Sequence, residues 1–133
     1  MIQKIIKKYR GISIIDSNST YSFSDLDNQI NEYAVSLKHE IIENENILIC
    51  SDYNFFSISL LIYLSSLKVN IIPVVKTTKK EIDTKISESR PSKVIYLNSK
   101  GEISVHRPKV AKENTKISVP KNSTGLILFS SGT

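Results

Sequence analysis

The sequence predicts an α/β fold: a largely parallel sheet with helices on both faces, entered through an initial β-hairpin. Three observations lead there. Apolar runs without polar alternation, at 47–50, 69–75, 93–97 and 125–129, have the character of strands covered on both faces. Helical spacings and capping signals fall between the first three runs, and strands separated by helices imply parallel pairing through right-handed crossovers. Ahead of them, two β-rich runs, 12–15 and 20–23, flank the turn formers Asp16, Ser17, Asn18 and Ser19.

Taken in order, residues 4–9 read as a short first helix and the hairpin follows. Ser24 with Asp27 three residues on resembles a capping box, with Asp in place of the preferred Glu. Leu26, Ile30, Ala34, Leu37 and Ile41 then recur at helical spacing, so this helix has one core face and ends near 39–43. Asn54 is placed to cap a second helix over 55–67, apolar nearly all round and therefore buried. Pro73 lies inside the run 69–75 and assigns part of it to a strand end. Thr78 with Glu81 predicts a capping box for a third helix, whose apolar edge is Ile82 and Ile86. Arg90 stops it, because the residue before a proline avoids the right-handed helical region. A strand over 93–97, a turn at 98–101 and a return strand at 102–106 follow. Residues 107–122 are polar and lysine-rich and read as an irregular connector. The run 125–129 is a final buried strand leading straight into Ser130, Ser131, Gly132 and Thr133. No internal repeat or low-complexity tract interrupts this order.

Composition narrows the function classes. A length of 133 residues predicts a single α/β domain over 1–133, and 40% hydrophobic with 23% charged residues argues against intrinsic disorder. One cysteine excludes a disulfide framework and a cysteine-cluster metal site, and His39 and His106 lie too far apart in sequence to show a ligand spacing. Residues 55–67 contain four serines and are too short for a membrane span, which needs about 20 apolar residues. The basic start, Lys4, Lys7, Lys8 and Arg10, is followed by no long apolar segment, so a cytoplasmic location is expected. The net charge of +5 raises nucleic-acid binding, but Arg10, Arg90 and Arg107 are the only arginines, and the scattered lysines have no interleaved aromatics. A solvated lysine-rich surface is the expectation, with no nucleic-acid partner.

Most chemistry-bearing side chains have structural readings. Cys50 ends an apolar strand and reads as an inert buried thiol. His39 reads as a surface residue, and His106 shows no partner for general-base work. Helix capping accounts for Asp25 and Asp27. Tyr53, Phe55 and Phe56 read as core.

The last loop is different. In an open α/β sheet, ligands bind outside the carboxyl ends of the strands. Ser130, Ser131, Gly132 and Thr133 offer hydroxyls and backbone N–H groups to a phosphate there, and Gly132 permits close approach. These four residues resemble the start of the phosphate-binding motif of the AMP-forming adenylating enzymes, the acyl- and aryl-CoA synthetases and carrier-protein-loading adenylation domains. That motif continues with Thr, Gly, a further residue, Pro and Lys, where this sequence has no further residues. Tyr21, Phe23, Asp25 and Leu26 are similar to the family's early Tyr-Thr-Tyr-x-Glu-Leu segment, and Asn31, Ala34 and Leu37 to its Asn-x-x-Ala-x-x-Leu pattern. Asn46 to Asp52 and then Asn54 resemble its valine-rich strand followed by an asparagine-started helix. Ile72, Pro73 and Val74 resemble its strand ending in Val-Pro, although the usual Gly-Ala before it is here Val69 and Asn70. Arg90, Pro91 and Val94 match a later segment leading to a buried strand. The resemblance thus covers nearly the whole chain, in order.

It implies the first part of the large N-terminal domain of a two-step ligase. A carboxylate attacks the α-phosphate of Mg-ATP, giving an acyl-adenylate and pyrophosphate, and a thiol of coenzyme A or a carrier protein then displaces AMP. Ser130, Ser131, Gly132 and Thr133 would hold the β- and γ-phosphates. The family's adenine-stacking aromatic, ribose-binding Asp, magnesium-binding Glu and catalytic Lys come later than this loop. The expectations are therefore ATP and Mg2+ used by a longer parent, none held tightly by these residues, and a fragment inactive alone that self-associates through exposed apolar surface. The alternative is a non-catalytic α/β binding or interaction module that uses no ATP.

Overall fold

A computed structural model describes residues 13–16, 19–108 and 125–126, and backbone alone for 13–16. The hairpin is present: β1 (Ser13–Asp16) pairs antiparallel with β2 (Ser19–Ser22) as a separate two-stranded sheet. The helix predicted at 4–9 lies outside the described residues.

The N-cap of helix α1 (Phe23–Ser36) lies two residues earlier than predicted. Ser22, not Ser24, is the N-cap: Asp25 N–H donates to Ser22 Oγ at 3.0 Å, and Ser22 N–H donates to the Asp25 carboxylate at 2.8 Å. Both serines have an aspartate three residues on. Tertiary packing selects Ser22, because Phe23 then joins the cluster of Leu26, Phe55 and Tyr21. Tyr21 stacks on Phe55 with ring centroids 3.8 Å apart, which ties the hairpin to the next helix. Asp27 lies two positions further along the helix than the capping Asp25.

The main sheet has five strands in the order β6-β5-β3-β4-β7. These are β3 (Asn46–Cys50), β4 (Asn70–Val74), β5 (Lys93–Leu97), β6 (Ile103–His106) and β7 (Gly125–Leu126). β3, β4, β5 and β7 are parallel; β6 returns antiparallel on β5. Helix α2 (Phe55–Ser65) links β3 to β4, and α3 (Lys79–Ser89) links β4 to β5. The two links run in opposite directions across the sheet and place their helices on opposite faces, as right-handed crossovers require.

Burial follows the pleat. Ile47 and Ile49 of β3, Ile71 of β4, and Ile95 and Leu97 of β5 pack beneath Tyr33 and Leu37 of the α1 segment and Leu60 and Leu64 of α2. Their alternates Leu48, Cys50, Ile72, Val74 and Val94 face Ile82 of α3. Both faces are covered, which is why these strands read as continuous apolar runs.

The ends of the elements have local causes. Asn54 caps α2 as predicted, exchanging backbone bonds with Ser57. Thr78 caps α3 by accepting from Glu81 N–H, but Glu81 turns its carboxylate to Thr77 Oγ1, so only half of the predicted box forms. Arg90 ends α3 in the left-handed region, at φ 47° and ψ 57°. Asn98 closes the β5–β6 turn by accepting from the N–H groups of Lys100 and Glu102. Gly101 has a φ of 84° there, and an added Cβ would stand 2.4 Å from the Phe56 ring.

Pro73 sits in β4 at full register with Ile49. Asn70 N–H donates to Glu45 and Ser51 N–H donates to Val74, so even-numbered positions of β4 face β3. Odd-numbered positions face β7, as Val69 does in accepting from Gly125 N–H. The donor that Pro73 lacks is therefore missing from the β7 side, and the β3–β4 ladder is undisturbed.

Candidate functional site

Parallel strands bring their carboxyl ends to one side of the sheet, and β3, β4, β5 and β7 all run that way. The chain leaves β3 for the face of α2 and leaves β4 for the face of α3. That opposition creates the kind of crevice where α/β sheets bind ligands. At its mouth Ser51 N–H donates to the Val74 carbonyl at 3.0 Å.

The predicted phosphate-binding residues Ser130, Ser131, Gly132 and Thr133 lie outside the described residues. The described strand nearest to them in sequence is β7, whose Gly125 pairs with Asn70 and Leu126 with Ile71. The sequence predicted a buried strand here. Leu126 is instead 61% exposed, because β7 is the outermost described strand on its side of the sheet.

At the same end, on the α3 face, the described residues enclose a cleft of about 660 Å³. Cys50, Ile82 and Tyr96 supply apolar surface, and Lys76, Asp83, Asn98 and Ser104 supply polar groups. On this face Val94 of β5 is buried with Ile82 of α3, whereas Ser104 and His106 of β6 are exposed. Two of the cleft's groups, Cys50 and Tyr96, are shifted toward their neutral forms. Burial pushes the Cys50 thiol up, against the opposing pull of Lys76. Burial, then the neighbouring Cys50 and Asp83, pushes the Tyr96 hydroxyl up. A raised thiol is a poor nucleophile at neutral pH, in line with the inert reading of Cys50.

Other candidates resolve individually. His39 is exposed, as expected. His106 has partners that the sequence did not reveal: Nε2 lies 2.8 Å from Ser104 Oγ, and the ring meets Tyr96 edge-on at 5.2 Å. Phe55 is buried and Phe56 half-buried, but Tyr53 is 64% exposed and is not core. Its position in the β3–α2 connection puts it outside the sheet's covered faces. Among the described residues no group of three or more His, Cys, Asp or Glu side chains is placed to hold a metal ion. No described helix is long and apolar enough to cross a membrane.

Sequence reasoning also missed two long-range anchors. Tyr33 Oη donates to the Gly101 carbonyl at 2.7 Å, fastening α1 to the β5–β6 turn. Lys93, on β5, is buried and paired with Glu45 at 2.9 Å. Helical spacing of Tyr33 with Leu26 and Leu37 is the signal that would have found the first; nothing local marks the second.

Comparison with known proteins places this architecture. No protein-family model matches the chain, and no curated protein matches it in sequence. Solved structures do. The N-terminal subdomain of Klebsiella oxytoca NpsA, in complex with 3-hydroxyanthranilyl-AMSN, superposes with a TM-score of 0.68 at 16% identity, covering 99% of this chain and 36% of that one. CmiS6 gives a TM-score of 0.61 at 15% identity, over 84% of this chain and 33% of its own. The nonribosomal peptide synthetase FmoA3, bound to AMPPNP, gives 0.62 at 5% identity over 93% and 12%. The chain has the fold of the N-terminal subdomains of adenylate-forming enzymes. It spans between 12% and 36% of the length of these three structures.

Proposed function

We propose that this chain forms the N-terminal subdomain of an ATP-dependent, AMP-forming ligase that joins a carboxylic acid to the thiol of coenzyme A or a carrier protein. The observation that carries the proposal is the agreement of two independent orders. Sequence segments resembling the family occur in the family's order, and the strands and helices superpose over 99% of the chain on the NpsA N-terminal subdomain.

In this reading β7 delivers Ser130, Ser131, Gly132 and Thr133 to the carboxyl end of the sheet, where hydroxyl and N–H donors take the β- and γ-phosphates of ATP. The contribution of these residues is positioning: they hold the leaving pyrophosphate in line while the acid attacks the α-phosphate. Magnesium would be bound by the complete enzyme. On this reading these 133 residues alone neither catalyse adenylation nor hold ATP tightly.

The test is the intact mass of the protein made from its native locus, followed by ATP–pyrophosphate exchange across a panel of carboxylic acids. A mass several-fold that of 133 residues with acid-dependent exchange is expected. A native protein of only this length, or a longer one without exchange on any acid, refutes the ligase reading and leaves a binding module.

A further inference from the structure

Three residues that share one level of the sheet, Asn46 of β3, Asn70 of β4 and Gly125 of β7, are mutual register partners. Asn70 is 3% exposed, and its Nδ2 donates to Asn46 Oδ1 at 2.8 Å. The side chain is thereby held against Gly125, where an added Cβ would stand 1.9 Å from Asn70 Oδ1 and 3.0 Å from Cγ. The backbone is tied at the same level: Gly125 N–H donates to Val69, Asn70 N–H to Glu45, and Ser92 N–H to Asn46.

We propose that this asparagine pair is a register lock for β7 and hence a positioning device for the loop that starts at Ser130; its bearing on ATP rests on the ligase reading. Only a residue without a side chain fits beside Asn70. A slip of one residue would bring Thr124 or Leu126 there, reverse the faces of the strand and displace the chain by about 3.3 Å. A phosphate loop five residues after Gly125 cannot tolerate such a displacement, because its donors act only at hydrogen-bond distance.

Gly125→Ala and Asn70→Ala/Gly125→Ala test the lock. In amide hydrogen exchange on the chain, Gly125→Ala is expected to speed exchange at position 125 at least about tenfold, with the amides of β3 and β5 unchanged. Asn70→Ala/Gly125→Ala makes room for the new methyl and is expected to restore protection. Unchanged exchange at position 125, a loss spread equally over β3, β4 and β5, or no recovery in the double variant would overturn the lock. In the native gene product, Gly125→Ala is expected to raise the KM for ATP in pyrophosphate exchange with kcat less affected, and the double variant to recover it. A normal KM in Gly125→Ala overturns the positioning role alone. Absence of exchange in the unmodified protein refutes the ligase reading, and the amide result then judges the lock by itself.

Discussion

Removing Glu45 should cost the fold more than removing its partner Lys93. The Lys93 side chain is 5% exposed and that of Glu45 12%. Lys93 Nζ donates to the Glu40 carbonyl and to Glu45 Oε1, and Glu45 also accepts from Ile42 N–H at 3.0 Å and Ser92 Oγ at 2.8 Å. Glu45→Ala strips the buried ammonium of its counter-charge and takes an acceptor from Ile42 N–H and from Ser92 Oγ, which keeps the Asn46 carbonyl at 3.2 Å. Breaking a buried pair from one side costs about 3–5 kcal/mol, and the extra lost bonds place Glu45→Ala at about 4 kcal/mol. Lys93→Met leaves a carboxylate that keeps Ile42 and Ser92 and retains some access to water, so about 2–3 kcal/mol is expected. The double variant removes both charges and should be more stable than Glu45→Ala alone, because no uncompensated charge remains. Urea unfolding followed by circular dichroism measures this. With a slope of about 1.5 kcal/mol per molar, Glu45→Ala lowers the midpoint by about 2–3 M. A Glu45→Ala midpoint within about 0.5 M of the parent's, or a double variant at the sum of the singles, would refute the argument.

Three further outcomes follow from particular contacts. Asn54→Ala removes the acceptor for Ser57 N–H at the start of α2 and should destabilise by about 1 kcal/mol, read from the same urea midpoint; Thr78→Ala, whose cap bond is 3.3 Å long, should cost less. Asn44 has a φ of 68°, which asparagine tolerates and β-branched residues do not, so Asn44→Val should lower the melting temperature by several degrees while Asn44→Gly leaves it unchanged or raised. Burial pushes the hydroxyls of Tyr33, Tyr63 and Tyr96 up from the usual phenol value. A raised folded pKa means the unfolded chain loses its proton first. Stability is therefore fully present below the ordinary value of about 10 and falls as pH rises beyond it. Tyr33→Phe should flatten that fall and cost about 1 kcal/mol at neutral pH through the lost bond to Gly101; an unchanged alkaline slope in urea midpoints would contradict the assignment.

The sheet was legible because burial on both faces writes itself into sequence. The runs at 47–50 and 93–97 lack polar alternation for that reason, and β5 occupies the predicted residues. Asn54 was legible because its partner Ser57 lies three residues away. Ser22 was not, because Ser24 satisfies the same local rule and the choice between them is made by Phe23 packing against a distant helix. Nothing local marks Lys93 as buried, because its partner Glu45 lies 48 residues away. The Asn46–Asn70 bond and the cleft at the carboxyl end arise in the same way, from strands brought side by side. The proposed phosphate-binding role of Ser130, Ser131, Gly132 and Thr133, in contrast, rests on sequence alone, on those four residues and the order of segments before them.

The placement of Pro73 matters most before the chain is complete. β7 follows β6 in sequence but joins the opposite side of the sheet, beside β4. During synthesis β3, β4, β5 and β6 can pair while β4 still presents a bare flank, and a bare apolar strand recruits strands from other nascent chains. Pro73 withdraws one donor from that flank and from no other. A foreign strand meets an interrupted ladder, whereas β7 begins its pairing at the far end, opposite Asn70 and Ile71. A residue that looks like an irregularity in the finished sheet thus acts as a guard on the growing one.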